Sequence, residues 1–333
     1  MKVVVTGGAG MIGRRIVAAL LDGAPLTDRQ SRRGPVDRIV ALDVVPPEPP
    51  LPEDPRLTVV TGPVDDRALL AQVVDAEVDS VFHLAAVVSA AAEEDFDLGM
   101  RANLAGTRAL LEACRSAGGA PRLVFASSVA AFGGDLPETV TDATTPMPAT
   151  TYGVTKVIGE YLVNDYSRKG FVDGRSIRLP TVVIRPGRPN RAASTWASSI
   201  LREPLAGREA VCPVGPDSRM WVLSPRRAVA AFLHAHELEA AAWDGWRVLN
   251  LPGVTISVEN SMAALRRIGG DGMVARIRFQ PDPFVQRIVD GWPARFETPR
   301  ALAMGFVADA DLDAIVRAFV EDDLSAQYAF YVP

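Results

Sequence analysis

Two side chains four residues apart, Tyr152 and Lys156, could together carry out acid–base chemistry on an alcohol. In a helix this separation places both side chains on one face, one turn apart. An ammonium group beside a phenol stabilises the phenolate and lowers the tyrosine pKa from ~10. Such a tyrosine can take a proton from an alcohol while a hydride leaves the same carbon. With five tyrosines and three lysines in 333 residues, chance predicts roughly 0.05 such pairs.

Two serines, Ser127 and Ser128, directly follow the predicted strand Leu123–Ala126, upstream of this pair. A hydroxyl at the carboxyl end of a parallel strand lies where such sheets bind ligands. Ser128 is the candidate that would hold the substrate oxygen beside Tyr152, and Ser127 could do so instead. Both serines could equally satisfy local backbone groups. The candidate catalytic residues are therefore Ser128, Tyr152 and Lys156.

A glycine-rich segment, Thr6 to Gly13, directly follows the first predicted strand and opens a helix. Gly7 lets the chain turn, Gly10 lets the backbone approach a pyrophosphate, and Gly13 lets the helix pack on the sheet. The N–H groups that open this helix, at Met11 and Ile12, face the phosphates with the positive end of the helix dipole. The segment predicts dinucleotide binding.

Asp43 ends the second long strand and is followed by two valines. A carboxylate there accepts hydrogen bonds from the adenosine ribose and repels a 2′-phosphate, so NAD is favoured over NADP. The distance from Gly13 exceeds the usual ~20 residues, and we assign the extra segment, residues 21–35, to a surface loop.

Apolar strands alternate with helical patterns through the first half of the chain, which predicts a doubly wound parallel α/β sheet of the Rossmann type with a smaller C-terminal lobe. The predicted strands include Ser176–Ile184, and the predicted helices include one long helix, Glu93–Ala117. We expect residues 1–187 to form the nucleotide-binding domain, with a segment at about 225–251 returning to it. Residues of about 188–224 and 252–333 are expected to form the substrate-binding lobe.

Composition excludes several classes of function. The net charge is −5 with no basic tract, so we expect neither a nucleic-acid nor a membrane partner. No signal peptide is expected, because the chain begins directly with a strand. Cys114 and Cys212 are expected to be buried free thiols in a reducing cytoplasm. The three histidines show no ligand spacing, so no metal is expected.

These motifs resemble the extended short-chain dehydrogenase/reductases, over the whole nucleotide-binding half and in the same order. The resemblance rests on the glycine-rich segment, His83–Ala86, Asn103–Thr107, the serine pair and the Tyr-x-x-x-Lys motif. It implies that Leu84, Ala85 and Ala86 line the cofactor, that Asn103 lies towards the nicotinamide, and that the stretch containing Pro180 and Thr181 passes the nicotinamide. It also implies a homodimer formed through a four-helix bundle. Members of this family usually carry an Asp after the glycine that ends the third strand, where it meets the adenine. Here Pro63 follows Gly62, which leaves the backbone of Val64, or Asp65, to hold the adenine.

A closer resemblance extends into the substrate lobe. The segments 95–99, 132–135, 164–167, 178–181, 185–187 and 193–199 look like those of D-erythronate dehydrogenases. These use NAD to oxidise the C2 hydroxyl of a four-carbon sugar acid. A carboxylate substrate needs a cation, and Arg191 lies in a stretch that is also similar to the carboxylate-binding segment of uronate dehydrogenases. Ser89 could contact the substrate hydroxyls or cap a helix.

Three hypotheses remain open from the sequence. The first is an NAD-dependent dehydrogenase acting on D-erythronate, or on another aldonate or a uronate. The second is a nucleotide-diphosphate-sugar epimerase or dehydratase that keeps NAD tightly bound, because the fold and the catalytic residues would be the same. The third is a catalytically silent NAD-binding protein, which the presence of both Tyr152 and Lys156 disfavours.

Overall fold

A seven-stranded sheet organises the first of the two compact units in this computed structural model, which describes residues 1–188 and 193–331. Its strand order is β12-β8-β7-β6-β1-β4-β5. The strands of the chain are β1 (Lys2–Thr6), β2 (Leu26–Thr27), β3 (Arg33–Gly34), β4 (Arg38–Asp43), β5 (Leu57–Thr61), β6 (Val78–His83), β7 (Arg122–Ser128), β8 (Asp173–Leu179), β9 (Thr181–Val182), β10 (Ala210–Cys212), β11 (Arg219–Leu223), β12 (Val248–Asn250), β13 (Val254–Ser257) and β14 (Ile277–Phe279).

Helices cover this sheet, as the sequence predicted for a doubly wound fold. The helices of the described chain are α1 (Met11–Leu21), α2 (Arg67–Val73), α3 (Ser89–Glu94), α4 (Phe96–Gly99), α5 (Gly106–Ala117), α6 (Thr151–Arg168), α7 (Thr195–Leu205), α8 (Pro225–Glu237), α9 (Val258–Gly269), α10 (Asp271–Val274), α11 (Pro283–Asp290), α12 (Pro299–Ala303), α13 (Leu312–Asp322) and α14 (Leu324–Ala329), of which α7 and α9 to α14 belong to the second unit. Single 3₁₀ turns occupy Val129–Ala131 and Ala240–Trp243.

The order of the strands places the candidate cofactor segments together. The chain winds from β1 outward through β4 to β5, then returns to β6 on the other side of β1 and continues outward. The strand order therefore reverses between β1 and β6, and ligands of open α/β sheets bind at the carboxyl ends of the strands at such a point. The glycine-rich segment follows β1, and residues 84–86 follow β6.

The first unit comprises Met1–Ala131, Pro148–Arg178 and Val229–Asn250, and the second comprises Phe132–Met147, Leu179–Ala228 and Leu251–Pro333. The sequence predicted a domain boundary after residue 187 and therefore placed residues 132–147 in the nucleotide-binding domain. Those residues are tied to the second unit by Val140, whose N–H donates to the carbonyl of Arg295 and whose carbonyl accepts from Glu297. The core of the second unit contains Trp196, Met220, Leu265, Ile315 and Phe319.

Two segments differ from their predicted secondary structure. The predicted helix Glu93–Ala117 is divided into α3, α4, a π-helical turn at Met100–Ala105, and α5. The break has a local cause, since Asp95 ends α3 and its carboxylate caps α4 by accepting from the N–H of Leu98. The predicted strand Ser176–Ile184 stops at Leu179, and after Pro180 the chain forms β9, which pairs with β11 in another sheet.

Both cysteines are free and buried, as predicted. Burial raises the pKa of the Cys114 thiol to about 12, and it also raises the pKa of Cys212. Within the described ranges, no helix is long and apolar enough to cross a membrane.

The insertion between α1 and β4 is an ordered hairpin rather than the loop expected for residues 21–35. Its strands β2 and β3 pair antiparallel. Both the N–H and the hydroxyl of Thr27 donate to the carboxylate of Glu237 at the end of α8, each at 2.8 Å. The ring of His236 donates to the same carboxylate at 2.9 Å. The carboxylate of Glu237 therefore joins the hairpin to the sheet-covering helix.

Burial opposes ionisation of Glu237, but hydrogen bonds from His236 and Thr27 outweigh it and lower its pKa to about 2. Since the pKa of a glutamate in the unfolded chain is ~4.3, the carboxylate stabilises the fold above about pH 4.5 and loses that effect as the pH falls towards 2.

We expect Glu237→Gln to lower the melting temperature at pH 7 by about 5 °C. The difference from wild type should shrink between about pH 5 and pH 3.

The matched control is Glu239→Gln, two residues along the chain. Glu239 is exposed and lies 3.6 Å from the buried Arg122, which is beyond hydrogen-bond distance, so this solvated carboxylate is expected to contribute little. Thermal melts of both variants across this pH range test the assignment. An equal and pH-independent loss in both variants would contradict it.

Candidate active site

The glycine-rich segment forms a turn too close to its neighbours for side chains. Gly7 has φ +73°, and a Cβ on it would lie 2.8 Å from the backbone nitrogen of Ala85. A Cβ on Gly13 would lie 2.1 Å from the carbonyl oxygen of Gly7. Gly10 holds the cap position of α1 in extended backbone, and no described side chain caps this end of the helix. The N–H groups at Met11 and Ile12 therefore begin a helix whose dipole suits a phosphate.

Asp43 lies at the carboxyl end of β4, beside this turn. One carboxylate oxygen accepts from the N–H of Ala9 at 2.9 Å, which fixes the side chain next to the glycine-rich segment. This arrangement fits a dinucleotide. With the pyrophosphate at the glycine-rich segment, the adenosine ribose would lie towards the end of β4, where Asp43 is. Val64 is buried and packs against Gly106, and Asp65 lies 3.8 Å from Arg101. Either could contribute to the adenine end, as the sequence left open.

His83 at the end of β6 is held as a single neutral tautomer by two threonines. The hydroxyl of Thr107 donates to the carbonyl of Asn103 at 2.6 Å, so it accepts from Nε2–H of His83 at 2.9 Å. Nδ1 of His83 therefore accepts from the hydroxyl of Thr6 at 2.7 Å. Burial, followed by the charge of Lys156, lowers the pKa of His83 to about 3. The N–H of Ala85 donates to Thr6, so this network also fixes the loop predicted to line the cofactor.

Asn103 lies in the π-helical turn and is 2% exposed. Its amide pairs with Val87, accepting from the backbone N–H at 2.7 Å and donating to the carbonyl at 3.0 Å. The predicted cofactor-lining residues Leu84, Ala85 and Ala86 directly precede Val87, so Asn103 holds the end of their loop. Ser89 is the first residue of α3, and the cap position is Val88. The helix-capping alternative for Ser89 is therefore not observed.

Tyr152 and Lys156 lie one turn apart at the start of α6, as their spacing predicted. Thr150 caps the helix by accepting from the N–H of Gly153 at 3.1 Å. The ammonium nitrogen of Lys156 lies 5.4 Å from the ring centroid of Tyr152 and 4.9 Å from that of Phe125. It donates to the carbonyl of Ala126 at 2.8 Å. Burial lowers the pKa of Lys156 to about 8, and the nearby carboxylate of Glu160 opposes this shift.

The two candidate serines point to different environments. The hydroxyl of Ser128 is partly exposed and accepts from the N–H of Ala130 at 3.1 Å. Ser127 is 2% exposed and donates to the carboxylate of Glu160. The structure therefore joins Ser127 to a buried polar network and leaves Ser128 at the strand end, where a substrate could contact it.

A buried ion pair that the sequence reasoning missed underlies this arrangement. Glu160 is fully buried and forms two hydrogen bonds with Arg178, from Nε at 2.8 Å and Nη2 at 2.7 Å. Arg178 also donates to the side-chain oxygen of Asn250 at 3.2 Å. One signal was present: Glu160 follows Lys156 by four residues, which places a carboxylate on the same buried helix face.

Two further expected site residues, Pro180 for the cofactor and Thr181 for the substrate, lie in the second unit. Pro180 is buried, and Thr181 begins β9, where it pairs with Val222. Arg191 lies outside the described residues. Arg185, which precedes it in the chain, donates from its guanidinium to the hydroxyl of Ser194 at 2.9 Å.

A parallel doubly wound sheet, a glycine-lined turn at its switch point and a Tyr–Lys pair beside it together define a nucleotide-dependent oxidoreductase of the short-chain type. Comparison with known proteins makes this assignment specific. Residues 3–243 match the model of the NAD dependent epimerase/dehydratase family, and the chain belongs to that family.

Similar proteins cover nearly the whole chain. A D-erythronate dehydrogenase of Cupriavidus necator is 48% identical over 97% of this chain and 98% of its own length. One of Haemophilus influenzae is 42% identical over 97% of this chain and 100% of its own length. A crystal structure described as the nucleoside-diphosphate-sugar epimerase from Agrobacterium tumefaciens has a TM-score of 0.91 and 41% identity, and covers 98% of this chain and 95% of that one.

Removing one partner of the buried ion pair should be costly. Arg178→Met leaves the carboxylate of Glu160 buried without its guanidinium, and we expect a loss of about 3–5 kcal/mol in the free energy of unfolding. The double variant Glu160→Gln/Arg178→Met should recover most of this loss, because no unpaired carboxylate then remains. Urea unfolding of the single and double variants measures both effects.

Arg168→Met is the matched control, on α6, the helix that carries Glu160. Arg168 pairs with Asp165 at 2.7 Å, and both are exposed, so we expect a loss below about 1 kcal/mol. If Arg178→Met cost no more than Arg168→Met, the structural role given to the buried pair would be wrong.

Proposed function

We propose that this chain is an NAD-dependent dehydrogenase that oxidises the C2 hydroxyl of D-erythronate to the 2-oxo acid, 2-dehydro-D-erythronate. The observation that carries the proposal is the near-complete match to two D-erythronate dehydrogenases, which covers at least 97% of this chain. The Tyr152–Lys156 geometry supplies the chemistry that such an oxidation needs.

Tyr152 is proposed as the general base. It takes the proton of the C2 hydroxyl as the hydride leaves that carbon, so one proton and one hydride are removed from the substrate. The positive charge of Lys156, one helical turn away, favours the phenolate form of Tyr152. NAD supplies the hydride acceptor when it is bound.

The other proposed roles concern orientation. Ser128 holds the substrate hydroxyl towards Tyr152, and Lys156 also binds the nicotinamide ribose. The proposed cofactor-binding residues are Gly7, Gly10, Met11, Ile12, Gly13, Asp43, Val64, Leu84, Ala85, Ala86, Asn103, Tyr152, Lys156 and Pro180. The proposed substrate-binding residues other than Ser128 and Tyr152 are Ser89, Thr181 and Arg191, with Arg191 binding the carboxylate. Ser127 is the alternative to Ser128 as the substrate contact.

The two compact units would correspond to the NAD-binding domain and the substrate-binding lobe. A cytoplasmic location and a homodimer formed through helices including α5 are also part of the proposal. Both are supported by the resemblance to the extended short-chain dehydrogenases.

A nucleotide-diphosphate-sugar epimerase is the second candidate function, because the Agrobacterium protein of that description is 41% identical over nearly the whole chain. The two functions differ in the fate of the cofactor. An epimerase keeps NAD bound and produces no net NADH, whereas a dehydrogenase releases one NADH per turnover. Uronate and other aldonate dehydrogenases would also release NADH and differ only in substrate.

Two predictions test the proposed function, and the first of them concerns turnover. With NAD, the purified protein should form NADH at 340 nm from D-erythronate in preference to L-threonate, other aldonates and uronates. Tyr152→Phe should reduce kcat by about 10²–10⁴-fold, because the group that accepts the proton is lost.

Tyr161→Phe is the control for this substitution. Tyr161 lies on the same helix, is 57% exposed and contacts Trp246, so its loss should leave turnover unchanged. Undiminished activity of Tyr152→Phe would reject the assigned base. No NADH from any sugar acid, together with NAD that co-purifies, would instead favour the epimerase.

The second prediction separates the two serines. Ser128→Ala should lower kcat at least tenfold while leaving the melting temperature near that of wild type, because its hydroxyl would orient the substrate. Ser127→Ala should lower the melting temperature, because the buried carboxylate of Glu160 loses a donor. Kinetics and thermal melts of the two variants provide the test, and the reverse pattern would assign the substrate contact to Ser127.

A further inference from the structure

The segment Leu84–Val87, which we call the β6 loop, follows β6 at the point where the strand order reverses. It packs directly against the glycine-rich segment. A Cβ on Gly7 would lie 2.8 Å from the backbone nitrogen of Ala85, and the N–H of Leu84 donates to the carbonyl of Thr6 at 3.0 Å. The β6 loop therefore forms one wall of the proposed cofactor site, and its shape matters for binding.

Side chains hold both ends of the β6 loop. Near its start, the N–H of Ala85 donates to the hydroxyl oxygen of Thr6 at 3.3 Å. At its end, the Asn103 amide accepts from the N–H of Val87 at 2.7 Å and donates to its carbonyl at 3.0 Å. Thr6 belongs to β1 and Asn103 to the π-helical turn. Two separate elements must therefore keep their spacing for the loop to keep its shape.

Thr107 and His83 join these two side chains into a closed ring of hydrogen bonds. The Thr107 hydroxyl donates to the carbonyl of Asn103 at 2.6 Å and accepts from Nε2–H of His83 at 2.9 Å. Nδ1 of His83 accepts from the hydroxyl of Thr6 at 2.7 Å. Thr107 and His83 are each 1% exposed. Burial strengthens such a network and makes the loss of one partner costly.

The direction of the hydrogen bonds in the ring depends on Thr107. A carbonyl only accepts, so the Thr107 hydroxyl donates to Asn103 and accepts from His83. Nδ1 of His83 is then an acceptor, which orients the Thr6 hydroxyl and leaves its lone pairs for the N–H of Ala85. Both ends of the β6 loop are therefore aligned through one buried hydroxyl.

We propose that Thr107 is a positioning residue for NAD: its hydroxyl closes the ring that holds the β6 loop against Gly7 in the shape that receives the cofactor. The inference rests on the proposed function, because it takes Leu84, Ala85 and Ala86 as cofactor-lining residues. A loop that is already fixed loses less ordering entropy when a ligand binds, so opening the ring should weaken the binding of NAD.

The test compares Thr107→Val with Thr107→Ser. Valine keeps the shape of the side chain and removes the hydroxyl, whereas serine keeps the hydroxyl and removes the methyl group. The Kd for NAD, measured by calorimetric titration without substrate, should rise about tenfold in Thr107→Val, because two buried hydrogen bonds are lost. It should stay within about twofold of wild type in Thr107→Ser. A side chain needed only for packing would give the opposite order, because serine leaves a cavity and valine does not.

Ser80→Ala is the matched control on β6. The Ser80 hydroxyl bonds to Nε2 of His236 at 2.7 Å, and both side chains are fully buried. This variant therefore also loses a buried hydroxyl–imidazole hydrogen bond, but one that leads to α8 and not to the β6 loop. Its melting temperature should fall, and its Kd for NAD should equal that of wild type. If Thr107→Val fails to fold, His83→Leu opens the ring at another bond, with an expected rise in Kd of at least about threefold.

The outcomes separate this inference from the proposed function. A wild-type protein that binds NAD, beside Thr107→Val with an unchanged Kd or with a rise matched by Thr107→Ser or Ser80→Ala, overturns the positioning role alone. A wild-type protein that binds NAD but forms NADH from no sugar acid overturns the proposed function, and the Kd values still decide the positioning role. If NAD co-purifies, the fraction that each variant retains after gel filtration replaces the Kd.

Discussion

The carboxylate of Glu160 is the point at which α6, the helix that carries the proposed base, is joined to the sheet. It follows Tyr152 and Lys156 at successive four-residue steps on α6, so the three side chains lie along one face of the helix. Glu160 binds Ser127 at the end of β7 and Arg178 on β8, and Arg178 continues to β12. Rotation or sliding of α6 against the sheet would break these bonds, so the position of the proposed base depends on them.

This arrangement links stability and catalysis through buried charge. A buried ion pair carries a large desolvation cost, and it persists only where its geometry and hydrogen bonds are complete. Glu160 meets that condition with three donors, two from Arg178 and one from Ser127. The same carboxylate faces Lys156 and favours its charged form against the effect of burial. A single carboxylate therefore fixes the helix and supports the charge of the lysine that acts on Tyr152.

Local motifs could be predicted from the sequence, whereas contacts distant along the chain could not. The Tyr152–Lys156 pair and the doubly wound sheet follow from spacing and from the alternation of elements. The partners of Glu160 lie 18 and 33 residues away, and nothing local identifies them. The choice between Ser127 and Ser128 required knowing which face of the sheet each side chain occupies, because neighbouring strand residues point in opposite directions. The break in the long predicted helix at Asp95 was visible as a capping residue but was outweighed by the surrounding helical pattern.

The neutral state of His83 affects the distribution of charge around Lys156. Burial, together with the smaller effect of repulsion from the ammonium of Lys156, lowers the pKa of His83 to about 3. The two threonine hydroxyls then select one neutral tautomer, with Nε2 as donor and Nδ1 as acceptor. Because His83 is neutral, Lys156 carries the positive charge that lies next to the phenol of Tyr152. An oxidation needs this distribution, since the positive charge favours the phenolate that accepts the substrate proton.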